Sequence, residues 1–122
     1  MSIGLSQISE CGYVALQKYH SLCGLPVMED WKELTLDEQN WWDATVKSLT
    51  ERVKGPDVGA MAIFFHNAVA ARYLRAGWTH GETFNRDAKI TPYMMPLEEL
   101  GKADQAARFL FCSVVSALQF AR

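Results

Sequence analysis

The segment from Gly77 to Leu100 constrains this chain more tightly than any other. An apolar helical run stops at Gly77, a residue that readily takes the left-handed backbone on which helices end. Bulky Trp78 follows, and then Gly81, which permits a tight turn or a close backbone approach. Asn85, Arg86, Asp87 and Lys89 make the next stretch polar, after which Pro92 and Pro96 bracket Tyr93-Met94-Met95. Each proline lacks an N–H and pushes its predecessor toward extended backbone. Two of them in so short a span disfavour helix and predict an extended strap or a short β-hairpin.

Around this segment the pattern is helical. Leu5, Ile8, Gly12, Ala15, Tyr19 and Leu22 recur at spacings of three and four and predict a helix to Cys23, ended by Gly24 and Pro26. His20 falls off that stripe and reads as solvated. Trp31 in the following connector reads as a core plug. Thr35 and Glu38 form a capping box that starts a helix over Leu36–Val53, with Trp42, Thr45, Val46, Leu49 and Val53 on one face. Trp41 and Trp42 point about 100° apart, so one of them is left for a pocket rim or an oligomer contact, or is a partly covered surface residue. Gly55-Pro56 ends this helix and Asp57 caps the next, Val58–Ala76, whose stripe is Met61, Phe64, Phe65 and Ala68. Pro96 to Leu100 reads as a short helical turn. The last helix, Lys102–Phe120, carries Ala107, Leu110, Phe111, Val114, Leu118 and Ala121 in register and is apolar enough to be central. The fold class expected is mainly α, with four principal helices in one domain over residues 1–122.

Composition excludes several functions. Apolar residues make up 49% and charged residues 21%, as in ordinary globular chains. A net charge of −2 supplies no global field for a nucleic acid polymer. Cys11, Cys23 and Cys112 form no CxxC pair, and the first residues lack the pattern of a signal peptide, so a reduced, cytoplasmic protein is expected. The most apolar run, Val58 to Phe65, is far shorter than the roughly 20 residues of a membrane span. His20, His66 and His80 stand in no HxxxH or HExxH relation, and no phosphate loop of the GxxxxGK[ST] or GxGxxG type occurs. Glu98 and Glu99 are neighbours that diverge on a helical turn. No metal, cofactor or catalytic set is expected, and the chain does not read as an enzyme.

What remains is binding. Tyr73, Trp78 and Tyr93 offer aromatic faces, while Arg72, Arg86 and Lys89 offer positive charge near the strap. Stacking faces beside guanidinium or ammonium groups suit a nucleobase carrying phosphate. The same residues also fit a plainer arrangement in which Trp78 fills the core and Arg86 and Lys89 are solvated.

His66 stands twelve residues before Trp78, and Gly77-Trp78, Gly81, Lys89, Pro92, Pro96 and Leu100 follow it in ungapped order. In these features the chain resembles the domain repeated in ryanodine receptors, which also occurs alone in small bacterial and phage proteins. The resemblance is most specific from His66 to Phe111 and extends in outline to the N-terminal half. It departs at Val69, where the family carries tryptophan, at His80 and Thr91, and at Tyr93, where the family carries cysteine. The resemblance implies a pocket between the histidine-bearing helix and the strap, walled by His66, Val69, Tyr73 and Tyr93. Some family members hold adenine nucleotides there. It therefore implies a ligand-binding module with a cyclic or adenine-containing nucleotide as its ligand; the phage or mobile-element setting expected with it adds the further expectation that the protein sequesters a nucleotide-derived immune signal in the host cytoplasm. Within that pocket Tyr93 is expected to stack on the ligand and Trp78 to belong mostly to the core. A homo-oligomer is expected from leftover aromatic surface. The alternative is an adaptor protein that works through exposed tryptophans and has no functional pocket.

Overall fold

The computed structural model describes residues 4–53, 55 and 57–120, without the side chain of Phe120. Among these residues it is mainly helical, with four principal helices: α1 (Leu5–Cys23), α2 (Leu36–Arg52), α3 (Val58–Arg75) and α4 (Lys102–Phe120). Single 3-10 turns at Trp31–Glu33 and Leu97–Glu99 lead into α2 and α4. Between α3 and α4 lie two short strands, β1 (Thr79–His80) and β2 (Ile90–Thr91).

The helix boundaries follow from local chemistry. Gly24 ends α1 in the left-handed region at φ 69°, with its N–H on the His20 carbonyl. Thr35 Oγ1 accepts from the Glu38 N–H at 3.2 Å, and the Glu38 carboxylate accepts from the Thr35 N–H at 3.1 Å. Asp57 accepts from the Ala60 N–H at 3.0 Å and so caps α3. Gly77, at φ 85°, turns the chain out of α3 into the strap. Of the expected Gly55-Pro56 break, Gly55 has a positive φ of 68°, and Pro56 lies outside the described residues.

After α3 the chain takes the strap form, and its strands pair parallel: Thr79 opposite Ile90 and His80 opposite Thr91. The intervening loop doubles back, and Asn85 bridges Ile90 antiparallel. A Cβ on Gly81 would stand 2.2 Å from Ile90 Cγ2, so a side chain here would prevent the pairing.

The core forms where α1 packs most closely on α4. A Cβ on Gly12 would stand 2.8 Å from the Phe111 ring, which is why glycine occupies that crossing. Phe65 of α3 stacks on Phe111 with ring centroids 4.3 Å apart, and Trp42 of α2 leans on both. Trp42, Thr45, Val46 and Leu49 form the buried face of α2 as its periodicity predicts. Trp31 is half-buried against Tyr13, with centroids 5.4 Å apart.

Two buried faces differ from the expected stripes. On α1 the residues covered are Ile8, Ser9, Gly12, Tyr13, Leu16 and His20, whereas Leu22 is 85% exposed. The close approach at Gly12 fixes a contact line that continues through Leu16 to His20, so His20 is buried rather than solvated. On α4 the covered residues are Ala107, Arg108, Phe111, Cys112, Val115 and Ser116. Leu110, Val114 and Leu118 are half-buried, and Ala121 lies outside the described residues. Apolarity alone misplaces both faces because each carries polar groups with dedicated roles.

Candidate functional site

A cleft of about 350 Å³ opens between the strap, α3, the N-terminal part of α2 and the connector after α1. One wall is aromatic. Tyr73 projects from α3 and meets Trp78 edge-on at 4.8 Å; Phe84 of the strap loop lies 5.3 Å from Trp78; Tyr93 lies 6.3 Å from Tyr73 and from Phe84. Pro26, Val27 and Met28 line the cleft from the connector, and Trp41 and Trp42 from α2. Val69 of α3, smaller than an aromatic residue, leaves the cleft room beside Tyr73. The volume sits at the small end of the range for ligand pockets.

Two arginines stand at its edge. Arg72 lies over the Trp41 ring at 4.7 Å, and Arg86 lies over the Phe84 ring at 5.5 Å. Arg86 also donates to the Val27 carbonyl at 3.3 Å, tying the strap loop to the connector. A third arginine, Arg108, is only 3% exposed and reaches the cleft from α4. Its guanidinium packs 4.8 Å from the Tyr93 ring and 5.6 Å from the Phe65 ring. Burial acts against its charge, while Asp104, one turn earlier on α4, favours it.

Two histidines have their tautomers set by their partners. His66 Nε2 donates to the Met95 carbonyl at 2.6 Å, so Nδ1 carries the lone pair and accepts from Arg108 Nε at 3.3 Å. His20 Nδ1 donates to the Pro26 carbonyl at 2.8 Å, so its Nε2 carries the lone pair. Burial holds both imidazoles below the usual histidine range, and the Arg108 charge adds to the effect. Burial likewise raises the Tyr73 and Tyr93 phenols, and Tyr93 donates to Asp104 at 2.9 Å.

Of the residues singled out in the sequence, Val69, Arg72, Tyr73, Trp78, Arg86 and Tyr93 meet at this cleft. His66 does not line it; fully buried, it stands behind Arg108 and orients that side chain. Lys89 does not line it either. Its backbone takes a left-handed φ of 55°, and its Nζ donates to the Ala76 carbonyl at 3.1 Å, capping the end of α3. The burial of Trp78 and Tyr93 is the reverse of the expectation. Tyr93 is 3% exposed and locked under α4 by Asp104 and Arg108, whereas Trp78, just before β1, is half-buried.

Sequence reasoning missed Phe84, His20 and Arg108. Arg108 shares a helical face with Asp104, Phe111, Cys112 and Val115, and that placement was its available signal. Among the described residues, no three His, Cys, Asp or Glu side chains gather to hold a metal ion, and no helix is long and apolar enough to cross a membrane. Comparison of the chain with protein-family models, curated proteins and solved structures gave no match.

Proposed function

We propose that this chain is a non-enzymatic module that binds a small nucleotide-type ligand in the cleft. The observation that carries the reading is the meeting of three half-buried aromatic rings, Tyr73, Trp78 and Phe84, in a cleft of about 350 Å³ edged by Arg72 and Arg86, with Tyr93 buried behind them. Rings of this kind offer stacking to any base, and nearby guanidinium groups favour phosphate. The likeness of the His66–Phe111 segment to ryanodine-receptor-type domains supports an adenine-containing or cyclic nucleotide. It also supports a phage or mobile-element role in which the protein sequesters an immune signal in the host cytoplasm.

A homo-oligomer belongs to the same proposal. Its supporting surface is mainly aliphatic: Leu22, Val27, Leu36 and Leu74 are strongly exposed, with Phe109 exposed as well, while all four tryptophans are buried or half-buried. The adaptor alternative loses the exposed tryptophans on which it drew.

The test is a thermal-shift panel of linear and cyclic nucleotides, followed by denaturation of the complex and identification of what is released. A ligand at 100 times its dissociation constant stabilises the fold by about 2.7 kcal/mol, and it should return chemically unchanged. A cleaved product would move the protein into the enzyme class, and a panel without any shift would remove the nucleotide reading. Sedimentation at tens of micromolar tests the assembly; a monomer alone rejects it.

A further inference from the structure

Two buried polar atoms at the cleft have no hydrogen-bond partner among the described residues. Arg108 Nη2 and His20 Nε2 are both out of solvent and without a hydrogen-bond partner among the described residues, and both side chains line the cleft. Arg108 is 3% exposed and His20 6%. Buried donors and acceptors are nearly always satisfied, because leaving one unmade forfeits its hydration. Each side chain is also anchored by its other nitrogen, Arg108 Nε on His66 and His20 Nδ1 on the Pro26 carbonyl.

Their needs are complementary. A guanidinium only donates, so Arg108 Nη2 requires an acceptor, and its charge calls for an anion. His20 Nε2 offers a lone pair and requires a donor. A carboxylate or a phosphodiester brings acceptors and leaves the imidazole unmatched. A hydroxyl or an amide can satisfy both hydrogen bonds but brings no charge to join Asp104 in offsetting the buried guanidinium. A phosphate monoester meets all three requirements. Its second ionisation falls near pH 6, so at neutral pH it carries anionic oxygens and readily keeps or gives up one further proton.

We infer that Arg108 and His20 form the seat of a phosphate monoester, so that the ligand enters phosphate first and leaves its base among Tyr73, Trp78 and Phe84 nearer the mouth. This rests on the reading of the cleft as a nucleotide site. It reverses the orientation expected from Arg72, Arg86 and Lys89, which places the phosphate at the rim. The phosphate holds the proton of its contact with His20, because burial keeps that imidazole neutral. The charged and titratable groups around that imidazole are Arg108 and Asp104 of α4. The cleft walls add Tyr13 of α1, Glu29 of the connector, Glu38 of α2, Arg72 and Tyr73 of α3, and Arg86 and Tyr93 of the strap.

The experiment is isothermal titration calorimetry on the full chain. The probes are the 5′-monophosphates of adenosine, guanosine, cytidine and uridine, each against its parent nucleoside and its 3′,5′-cyclic phosphate. For the base that binds, the monoester should be about 10- to 100-fold tighter than the nucleoside, the range of one charge-assisted hydrogen bond, and tighter than the cyclic diester. Arg108→Met should erase the preference over the nucleoside while leaving nucleoside affinity within about twofold. Equal affinity of monoester and nucleoside for the unaltered protein overturns the phosphate seat and leaves the cleft reading standing. That comparison needs no variant, so it decides even if Arg108→Met fails to fold. A preference that survives in the folded Arg108→Met variant, or a folded variant that loses nucleoside and monoester alike, also overturns the seat. Absence of binding by every compound removes the nucleotide reading together with it.

Discussion

The molecule holds two aromatic clusters, and they are put to different uses. In the helical core Phe65 and Phe111 are fully buried and stacked at 4.3 Å, with Gly12, Val46, Leu49 and Val115 filling the space around them. At the strap, Tyr73, Trp78 and Phe84 are half-buried, tilted against one another at 4.8–6.5 Å, and open onto a cleft. Arg108 stands between the clusters, packed on Phe65 of one and Tyr93 of the other. The residue types are alike, but the backbone that carries them is not. Phe65 and Phe111 sit where helices interdigitate and close over a ring, whereas Tyr73 stands near the end of α3 and Trp78 and Phe84 lie on irregular chain beside two-residue strands, which leaves one side open. Tyr93 shows the boundary, since α4 covers it and it becomes part of the core.

The largest effect expected from this contrast is on stability. Phe111→Ala should cost about 3–5 kcal/mol in denaturant unfolding, the usual range for a fully buried phenylalanine. A cost below about 1 kcal/mol would mean the two clusters do not differ in kind. Trp78→Ala should act in the other direction, leaving a cooperative fold but weakening a stacked nucleotide by about 1–3 kcal/mol, roughly 5- to 150-fold. Loss of folding with Trp78→Ala would assign that ring to the core instead.

Acid should sharpen the comparison from the polar side. His20 and His66 are kept neutral by burial, so below about pH 6.5 the unfolded chain takes up protons that the folded chain refuses. Stability therefore rises with pH in that window and is lost as the pH falls from 6.5 toward 5. Melting temperatures that stay flat from pH 7.5 to 5.5 would show that both imidazoles titrate freely. The smallest effect belongs to Lys89→Ala. Because Lys89 caps α3 and faces away from the cleft lining, nucleotide affinity should stay within about twofold at low and high salt alike. A salt-sensitive loss of affinity would return Lys89 to the site.

Much of this fold is written in short-range chemistry. The Thr35–Glu38 box, the Asp57 cap and the breaks at Gly24 and Gly77 act through neighbours in sequence, and they set the helices where their patterns predict. The strap is legible for the same reason, from Gly81, Pro92 and Pro96. Which face of α1 or α4 is covered depends instead on one crossing, where Gly12 admits Phe111. That crossing draws His20 and Arg108 inward, and a polar residue drawn inward is indistinguishable in apolar periodicity from one facing water. The aromatic part of the cleft could therefore be read from Tyr73, Trp78 and Tyr93, while its buried polar end could not. Lys89 misleads because its charge is visible in sequence and its left-handed backbone is not.

The parallel pairing of Thr79 with Ile90 and His80 with Thr91 has a consequence for how such a protein can change over generations. Because the pairing is parallel, the loop over residues 81–89 leaves at one end of this two-residue ladder, where Gly81 bonds Thr91, and returns at the other, where Lys89 bonds Thr79, so both its ends are pinned. Doubling the length of a flexible loop of this kind adds only about 0.6 kcal/mol of closure entropy. Insertions beyond Gly81 can therefore redraw the rim that carries Phe84 and Arg86 without disturbing the helical bundle. A lineage using this scaffold can track a shifting ligand by lengthening one loop, with every helix inherited intact.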